Sequence, residues 1–464
     1  MRDIFLINQN VHHHSKFRRY EMDIANQAPK GFLERTFKLS EHNTDVKTEV
    51  LAGITTFMTM AYILVVNPMI LADAGMDKGA VFVATALAAA IATFVMGFLA
   101  NYPFALAPGM GLNAFFAYTV VLGMGYTWQF ALMAVFIEGI IFIILTFFNV
   151  REKIIDAIPL GLKNAVSAGI GLFIAFIGLA NVGIVQAGGA ILSVGNLREP
   201  LIVLSLFGLL VTAGLLSRNI KGAFLIGMLV TTVVGMVTGL VALPSGLASA
   251  PPSLKPIFGA FLQADKAQIF GPETAIIVFT FLFVDLFDTV GCLVGLAAKT
   301  DMLDENGKLP KAKQALFADA IGTTVGAVLG TSTVTTFVES ASGMSEGGRT
   351  GLTAVVTGML FLASLLFSPI FIAIPSQATA PVLILVGVMM ASSMLKIDFH
   401  DMTEAIPAFL TIVMMPLAYS IAEGILFGVV SFAIIKLIAG KGKSVTPALY
   451  VLALLFIAKV ILAG

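Results

Sequence analysis

Phe281-Leu-Phe-Val-Asp-Leu-Phe-Asp-Thr-Val-Gly291 sets two carboxylates, Asp285 and Asp288, inside a long apolar run that holds no basic residue. The run extends over 273–298, enough to cross a hydrocarbon core of about 30 Å as a helix. Each carboxylate costs about 2.5–3.5 kcal/mol at the centre of a bilayer. Spaced by three, the pair shares one helical face. A helix that carries two such costs together is read as a site for protons or a polar solute inside a membrane. Like charges so close do not both ionise cheaply in a dry site. One carboxylate is therefore suited to hydrogen-bonding a solute and the other to carrying a proton.

The rest of the chain agrees. It has 464 residues, 58% hydrophobic and 12% charged, with a mean hydropathy of +0.97. A soluble domain carries about a quarter charged residues. The composition implies an all-α polytopic membrane protein with the lipid bilayer as its first partner. The net charge of +0 suggests no nucleic-acid partner. Cys292 is the single cysteine, which excludes an intrachain disulfide. The first forty residues are polar and basic, without the apolar core of a cleavable leader. His12-His13-His14 reads as part of that tail, and no metal or cofactor is expected.

Apolar runs mark fourteen segments, near 48–70, 79–100, 104–120, 127–148, 164–182, 199–216, 221–243, 273–298, 313–330, 334–345, 350–374, 378–395, 405–418 and 421–438. With the N-terminus inside, 22 of the 27 basic residues fall on the cytoplasmic side and four on the other, leaving Lys459 in an unassigned run. That asymmetry follows the positive-inside rule and implies a cytoplasmic-membrane protein. Gly31–Leu39 reads as an interfacial helix in a cytoplasmic tail, 1–47. An apolar run at 446–462, within the C-terminal stretch 441–464, is left over.

The third and tenth segments are unusual, and they lie seven apart. Ala107-Pro-Gly-Met-Gly-Leu-Asn113 cannot continue a helix well, because proline lacks a donor and glycine loosens the backbone. Gly330-Thr-Ser-Thr-Val-Thr-Thr-Phe-Val-Glu-Ser-Ala-Ser-Gly343 holds seven hydroxyl residues and one carboxylate. Its Thr331, Thr333 and Thr335 alternate as in a strand, with a helix expected to start near Thr336. Seven spans per half turn the second half over, so the pattern implies two inverted repeats, each with one broken segment. Paired broken segments point to a transport site near the midplane. Candidate site residues are Gly111, Asn113, Asp285, Asp288, Thr336, Glu339 and Ser340. Glu138 and Asp319 read as structural or supporting acids, and Glu423 as a helix cap. Phe57, Phe115 and Phe116 read as lipid-facing packing rather than a stacking surface for the solute.

Three motifs in order resemble the azaguanine-type purine permeases of the nucleobase–cation symporter group. They are Ala107–Phe116, Phe283–Gly291, and Gly330–Ser340 with Gly347-Gly-Arg-Thr-Gly351. Val50–Ile63 is similar to that family's first span, and the resemblance covers about 48–440. It implies a core domain (48–148 and 273–374) and a gate domain (149–243 and 375–440), with short strands in segments 3 and 10 and the solute between them. It implies proton-driven uptake of a purine such as hypoxanthine, guanine or adenine. Asp285, Glu339 and Asn113 would contact the purine, Asp288 would lie close by, and the three acids would carry the proton. Val290-Gly-Cys-Leu departs from the small hydroxyl run usual in the family.

Other readings fit less well. An intramembrane aspartyl protease needs a Gly-x-Gly-Asp-type motif on a second helix, which is absent. A sulfate-type anion transporter of the same fold would want neutral or cationic residues where Glu339 stands. A channel is separated only by saturable uptake. The pattern leaves open which purine is carried and whether the chain forms a homodimer.

Overall fold

The computed structural model describes residues 31–148, 159–188, 191–299, 302, 304 and 309–463. The start of the gate stretch, 149–158, lies outside them, as does His12–His14. Segments 1–7 run over Val46–Asp73, Lys78–Ala100, Leu106–Gly123, Trp128–Phe147, Leu160–Asn181, Pro200–Ser217 and Ala223–Val237. Segments 8–14 run over Pro272–Lys299, Ala312–Leu329, Val334–Ser345, Gly351–Ala373, Ser376–Lys396, Met402–Leu417 and Ile421–Ile438. Among the described residues, nine helices are long and apolar enough to cross a membrane on their own. Of the remaining segments, 3 and 10 are broken, 7 and 13 are shorter, and 9 is less apolar.

The breaks are built as expected, with one shift. β1 (Leu106–Pro108) opens segment 3. β2 (Val185–Ala187) and β3 (Leu192–Val194) form a hairpin between segments 5 and 6 that sequence reading did not anticipate. β4 (Val334–Thr336) opens segment 10 and pairs antiparallel with β1, setting Ala107 opposite Thr335. The sequence pattern starts this strand at Thr331 and the helix near Thr336; the strand begins three residues later and the helix at Ser340. The cause is side-chain competition. Thr331, Ser332 and Thr333 are held by Asn67, Asn113 and Glu138, so the chain pairs only where it reaches Leu106–Pro108. Phe337 N–H then closes on Ala105 O at 3.0 Å, which delays the helix.

A two-stranded sheet inside a bilayer has two open edges, and water is not there to satisfy them. One threonine closes each edge. Thr93 on segment 2 accepts from Leu106 N–H (3.0 Å) and donates to Leu106 O (3.1 Å). Thr323 on segment 9 does the same for Val334, at 3.2 and 3.1 Å. Gly109 N–H to Thr333 O, at 3.0 Å, mirrors the Phe337–Ala105 bond. The two halves are thus related by a local two-fold axis through the strand pair, as inverted repeats require.

The helices fall into two packing groups. In the core group, segments 1 and 2 pack on 11, segment 2 on 9, and segment 4 on 8 and 9. In the gate group, segment 5 packs on 12 and 13, segment 6 on 7 and 12, and segment 13 on 14. Small residues let backbones touch where buried apolar area cannot drive association. A Cβ on Gly171 would lie 2.7 Å from Gly387 O, and one on Gly351 would strike Gly97 of segment 2.

Core and gate meet along segments 1, 3 and 10. Tyr118 donates to Asp73 at 2.7 Å and accepts from Asn181 of segment 5 at 3.2 Å, with Tyr419 of the gate edge-on beside it. Lys221, at the start of segment 7, pairs with Glu346 at the end of segment 10.

Several smaller expectations are corrected. Phe115 and Phe116 are fully buried rather than lipid-facing, Phe115 standing edge-on to Phe281 with centroids 4.7 Å apart. The interfacial helix is shorter than expected, Phe32–Phe37, and buries Phe37 and Leu39 against Leu352. The leftover run becomes a helix, Pro447–Ala463, packed on segment 14 with Leu449, Ala453 and Phe456 buried. Ser420 caps segment 14 through Glu423 N–H, and the Glu423 carboxylate lies in that first turn, as expected of an acid that favours a helix N-terminus.

Thr93→Val should strand a buried N–H and a buried carbonyl. Each such loss costs about 1–3 kcal/mol, so the melting midpoint of the detergent-solubilised protein is expected to fall. An unchanged midpoint would mean that the strand edge is satisfied elsewhere.

Candidate solute site at the paired strands

Segment 8 presents its two aspartates differently. Asp288 is half-buried and accepts from Thr335 Oγ1 of β4 at 3.4 Å. Glu339, also half-buried, follows β4 by one turn, and the two carboxylates are close enough to act on each other electrostatically. Asp285 is fully buried and takes part in an interior acid cluster. Thr289 Oγ1 stands 3.2 Å from Asp285 Oδ1 and 2.8 Å from Asp319 Oδ1. One hydroxyl proton serves both contacts, so a proton on either carboxyl completes the chain of hydrogen bonds. The family resemblance implies Asp285 at the solute with Asp288 beside it; of the two, Asp288 is the more exposed.

Glu339 is held from segment 1. Tyr62 Oη donates to Glu339 Oε1 at 2.7 Å. Tyr62 lies at an interruption of segment 1, between helices Val46–Met60 and Ile63–Asp73, with Pro68 in the second half. Its ring is edge-on to Phe224 of segment 7, centroids 5.1 Å apart. Cys292, one turn beyond Asp288, is buried beside both site carboxylates. Tyr62 and Phe224 were not singled out from the sequence, and Thr335 was read only as part of a strand. Tyr62 and Glu339 are 277 residues apart, and neither spacing nor hydropathy brings them together.

The other candidates mostly join the broken segments to one another. Asn113 accepts from Ser332 Oγ and lies 3.5 Å from Pro108 O. Ser340 Oγ accepts from Ala105 N–H at 3.0 Å. Glu138 accepts from Thr333 Oγ1 at 2.8 Å. Thr336 Oγ1 is buried without a hydrogen-bond partner, an orphan that a bound solute or a water would satisfy. The strand register puts Gly111 and Glu339 at equivalent places, each four residues past the central pair Ala107–Thr335. The first repeat supplies bare backbone there and the second a carboxylate. A Cβ on Gly111 would lie 2.8 Å from Ile170 Cγ2 of segment 5, so this glycine sets how closely core and gate approach.

The motif Gly347–Gly351 is a joint. Glu49 of segment 1, fully buried, accepts from Arg349 N–H (2.8 Å), Thr353 N–H (3.1 Å) and Thr353 Oγ1 (2.6 Å). A carboxylate at the N-terminus of segment 11 satisfies its free amides and its dipole.

Residues 47–427 match the permease family of xanthine/uracil type. The chain belongs to that family. This permease is 47% identical to the adenine permease AdeP of Escherichia coli, over 93% of this chain and 96% of that protein. It is 48% identical to the guanine/hypoxanthine permease PbuG of Bacillus subtilis, over 92% of this chain and 98% of that protein. Its fold matches the transmembrane domain of a cyanobacterial bicarbonate transporter, BicA, with a TM-score of 0.61 at 16% identity, covering 82% of this chain and 97% of that one. The permease resemblance and the fold read from the motifs are both borne out, and the protein is a multi-pass membrane transporter.

Gly111→Ala is expected to reach the membrane in normal amount and to lose most of its transport rate, because the added methyl group wedges the core away from Ile170. Uptake measured against surface-expressed protein tests this; a wild-type rate would remove Gly111 from the core–gate contact.

Proposed function

We propose that this permease imports purine nucleobases with protons across the cytoplasmic membrane, its N-terminus on the cytoplasmic side. The carrying observation is the meeting of two half-buried carboxylates, Asp288 and Glu339, with the paired strands of two inverted repeats. A purine edge offers ring N–H donors to such acids and acceptors to backbone N–H groups and to Thr336. In this reading Asp288 and Glu339 contact the base, while Asp285, with Thr289 and Asp319, holds the coupled proton. Asn113 and Ser340 keep the two broken segments at the right separation, and Gly111 lets segment 5 approach them. The names of AdeP and PbuG support a purine as the solute. The basic residues of the loops support the orientation. Two acids at the site would repel an anion, which disfavours sulfate or bicarbonate despite the shared fold.

Transport follows by alternating access, the core of 48–148 and 273–374 moving against the gate of 149–243 and 375–440. The contacts at Tyr118–Asn181 and Lys221–Glu346 suit surfaces that part and re-form.

Uptake of hypoxanthine or adenine into proteoliposomes should rise with an inward proton gradient and collapse with a protonophore. Uptake that follows sodium and ignores the protonophore would refute the coupling. Glu339→Gln and Asp288→Asn should each weaken binding by one to two decades, since a hydrogen bond to a charged group is worth roughly 1.5–3 kcal/mol. Wild-type affinity and base preference in both variants would exclude these acids from the site.

A cysteine pair joining segment 3 to segment 5 should stop transport and spare binding. Full-rate transport by the crosslinked protein would rule out a moving core.

A further inference from the structure

The first turn of segment 7 is the place where the gate touches the parts of the core that hold Glu339. Three neighbouring residues make the contact. Lys221 pairs with Glu346, seven positions beyond Glu339 on segment 10. Gly222, at φ +72, brings the chain so close that a Cβ there would lie 3.3 Å from Met58 O of segment 1. Phe224, 4% exposed, sets its ring against Tyr62 at an interplanar angle of 64°. Tyr62 is the shared member: its ring meets the gate, and its hydroxyl meets the acid.

We propose that Tyr62 is a positioning residue that links occupation of Glu339 to movement of the gate through Phe224. This deepens the purine-transport reading and rests on it. The hydroxyl of Tyr62 has one proton and gives it to Glu339 Oε1. That bond fixes the carboxylate and leaves Oε2 for a solute N–H. A solute that draws Glu339 toward itself must shift or lengthen the bond to Tyr62. Tyr62 stands at a tightened turn of segment 1, where Leu64 N–H and Val65 N–H bond three residues back, to Ala61 O and Tyr62 O. The regular helical ladder is perturbed there, and a small tilt of Tyr62 costs less than elsewhere in the span. The tilt changes the edge-to-face contact with Phe224. Such a ring pair is worth about two- to tenfold in an equilibrium, enough to bias core against gate without locking them.

The two contacts of Tyr62 can be cut separately. Tyr62→Phe removes the hydroxyl and keeps the ring on Phe224. Phe224→Leu removes the ring partner and keeps the bond to Glu339. Phe224→Tyr keeps an aromatic edge and serves as the conservative control. Equilibrium binding of radiolabelled hypoxanthine and adenine to purified protein is measured beside initial uptake rates in proteoliposomes. Tyr62→Phe is expected to weaken binding about tenfold, because Glu339 is no longer held. Phe224→Leu is expected to bind within twofold of wild type and to transport about tenfold more slowly, and Phe224→Tyr to transport normally. The double variant should transport no more slowly than the slower single variant, because both act through one ring.

Three results overturn the proposal: Phe224→Leu transporting at the wild-type rate, Phe224→Leu losing binding in step with transport, or Tyr62→Phe binding as tightly as wild type. Failure of the wild-type protein to bind either purine would instead overturn the reading of the solute, and the two failures are read from different samples.

Discussion

Backbone that leaves the helix inside a bilayer must find its hydrogen bonds within the protein. This permease meets that constraint where the strands of segments 3 and 10 pair, and the core group is arranged about them. β1 and β4 give each other their inner hydrogen bonds, and Thr93 and Thr323 close the two outer edges. Segments 2 and 9 must therefore lie against the strands, which fixes the interior of the core group. Asn67, Asn113, Glu138 and Ser340 then hold the approaches to the strands. Little of this polar interior is left over for a solute, so the groups that are left over carry the more weight.

The local two-fold symmetry is exact in its backbone bonds and broken in its side chains. Glycine at 111 and glutamate at 339 occupy equivalent positions with opposite consequences. The glycine lets segment 5 come close, and the glutamate puts a charge beside Asp288. A symmetric pair of carboxylates would have added a third acid to bury, and a symmetric pair of glycines would have left Asp288 as the one acid at the strands. The acids are divided likewise between a half-buried pair at the strands and a fully buried group around Thr289. In the proposed function these two environments serve two tasks, contact with a solute and storage of a proton.

Tyr118 with Asn181, Lys221 with Glu346, and Tyr62 with Phe224 are polar and ring contacts between core and gate, set along an apolar surface that segments 5, 7, 12 and 14 share with segments 1 and 3. Within each group the packing is closer, with glycine backbones touching at Gly171–Gly387 and Gly97–Gly351. Two groups, each packed more closely within itself than against the other, are what rocking of one on the other requires.

Much of this was legible in the chain alone. Long apolar runs, basic loops on one side and two glycine- and hydroxyl-rich interruptions seven segments apart determined a helical membrane protein of two inverted halves. Hydropathy and charge act locally, so they can be read residue by residue. Intramembrane acids announced themselves for the same reason, because each is costly where it stands. Only the tertiary structure decided which aspartate faces the strands. Asp285 and Asp288 share a helix face, and a small rotation of that helix exchanges their roles. It also decided that Tyr62 holds Glu339, since an uncharged tyrosine in an apolar span carries no local cost and its partner lies 277 residues away. The start of β4 belongs to the same class. Alternating threonines gave the right conformation, and the side-chain partners on segments 1, 3 and 4, distant in sequence, set where pairing begins.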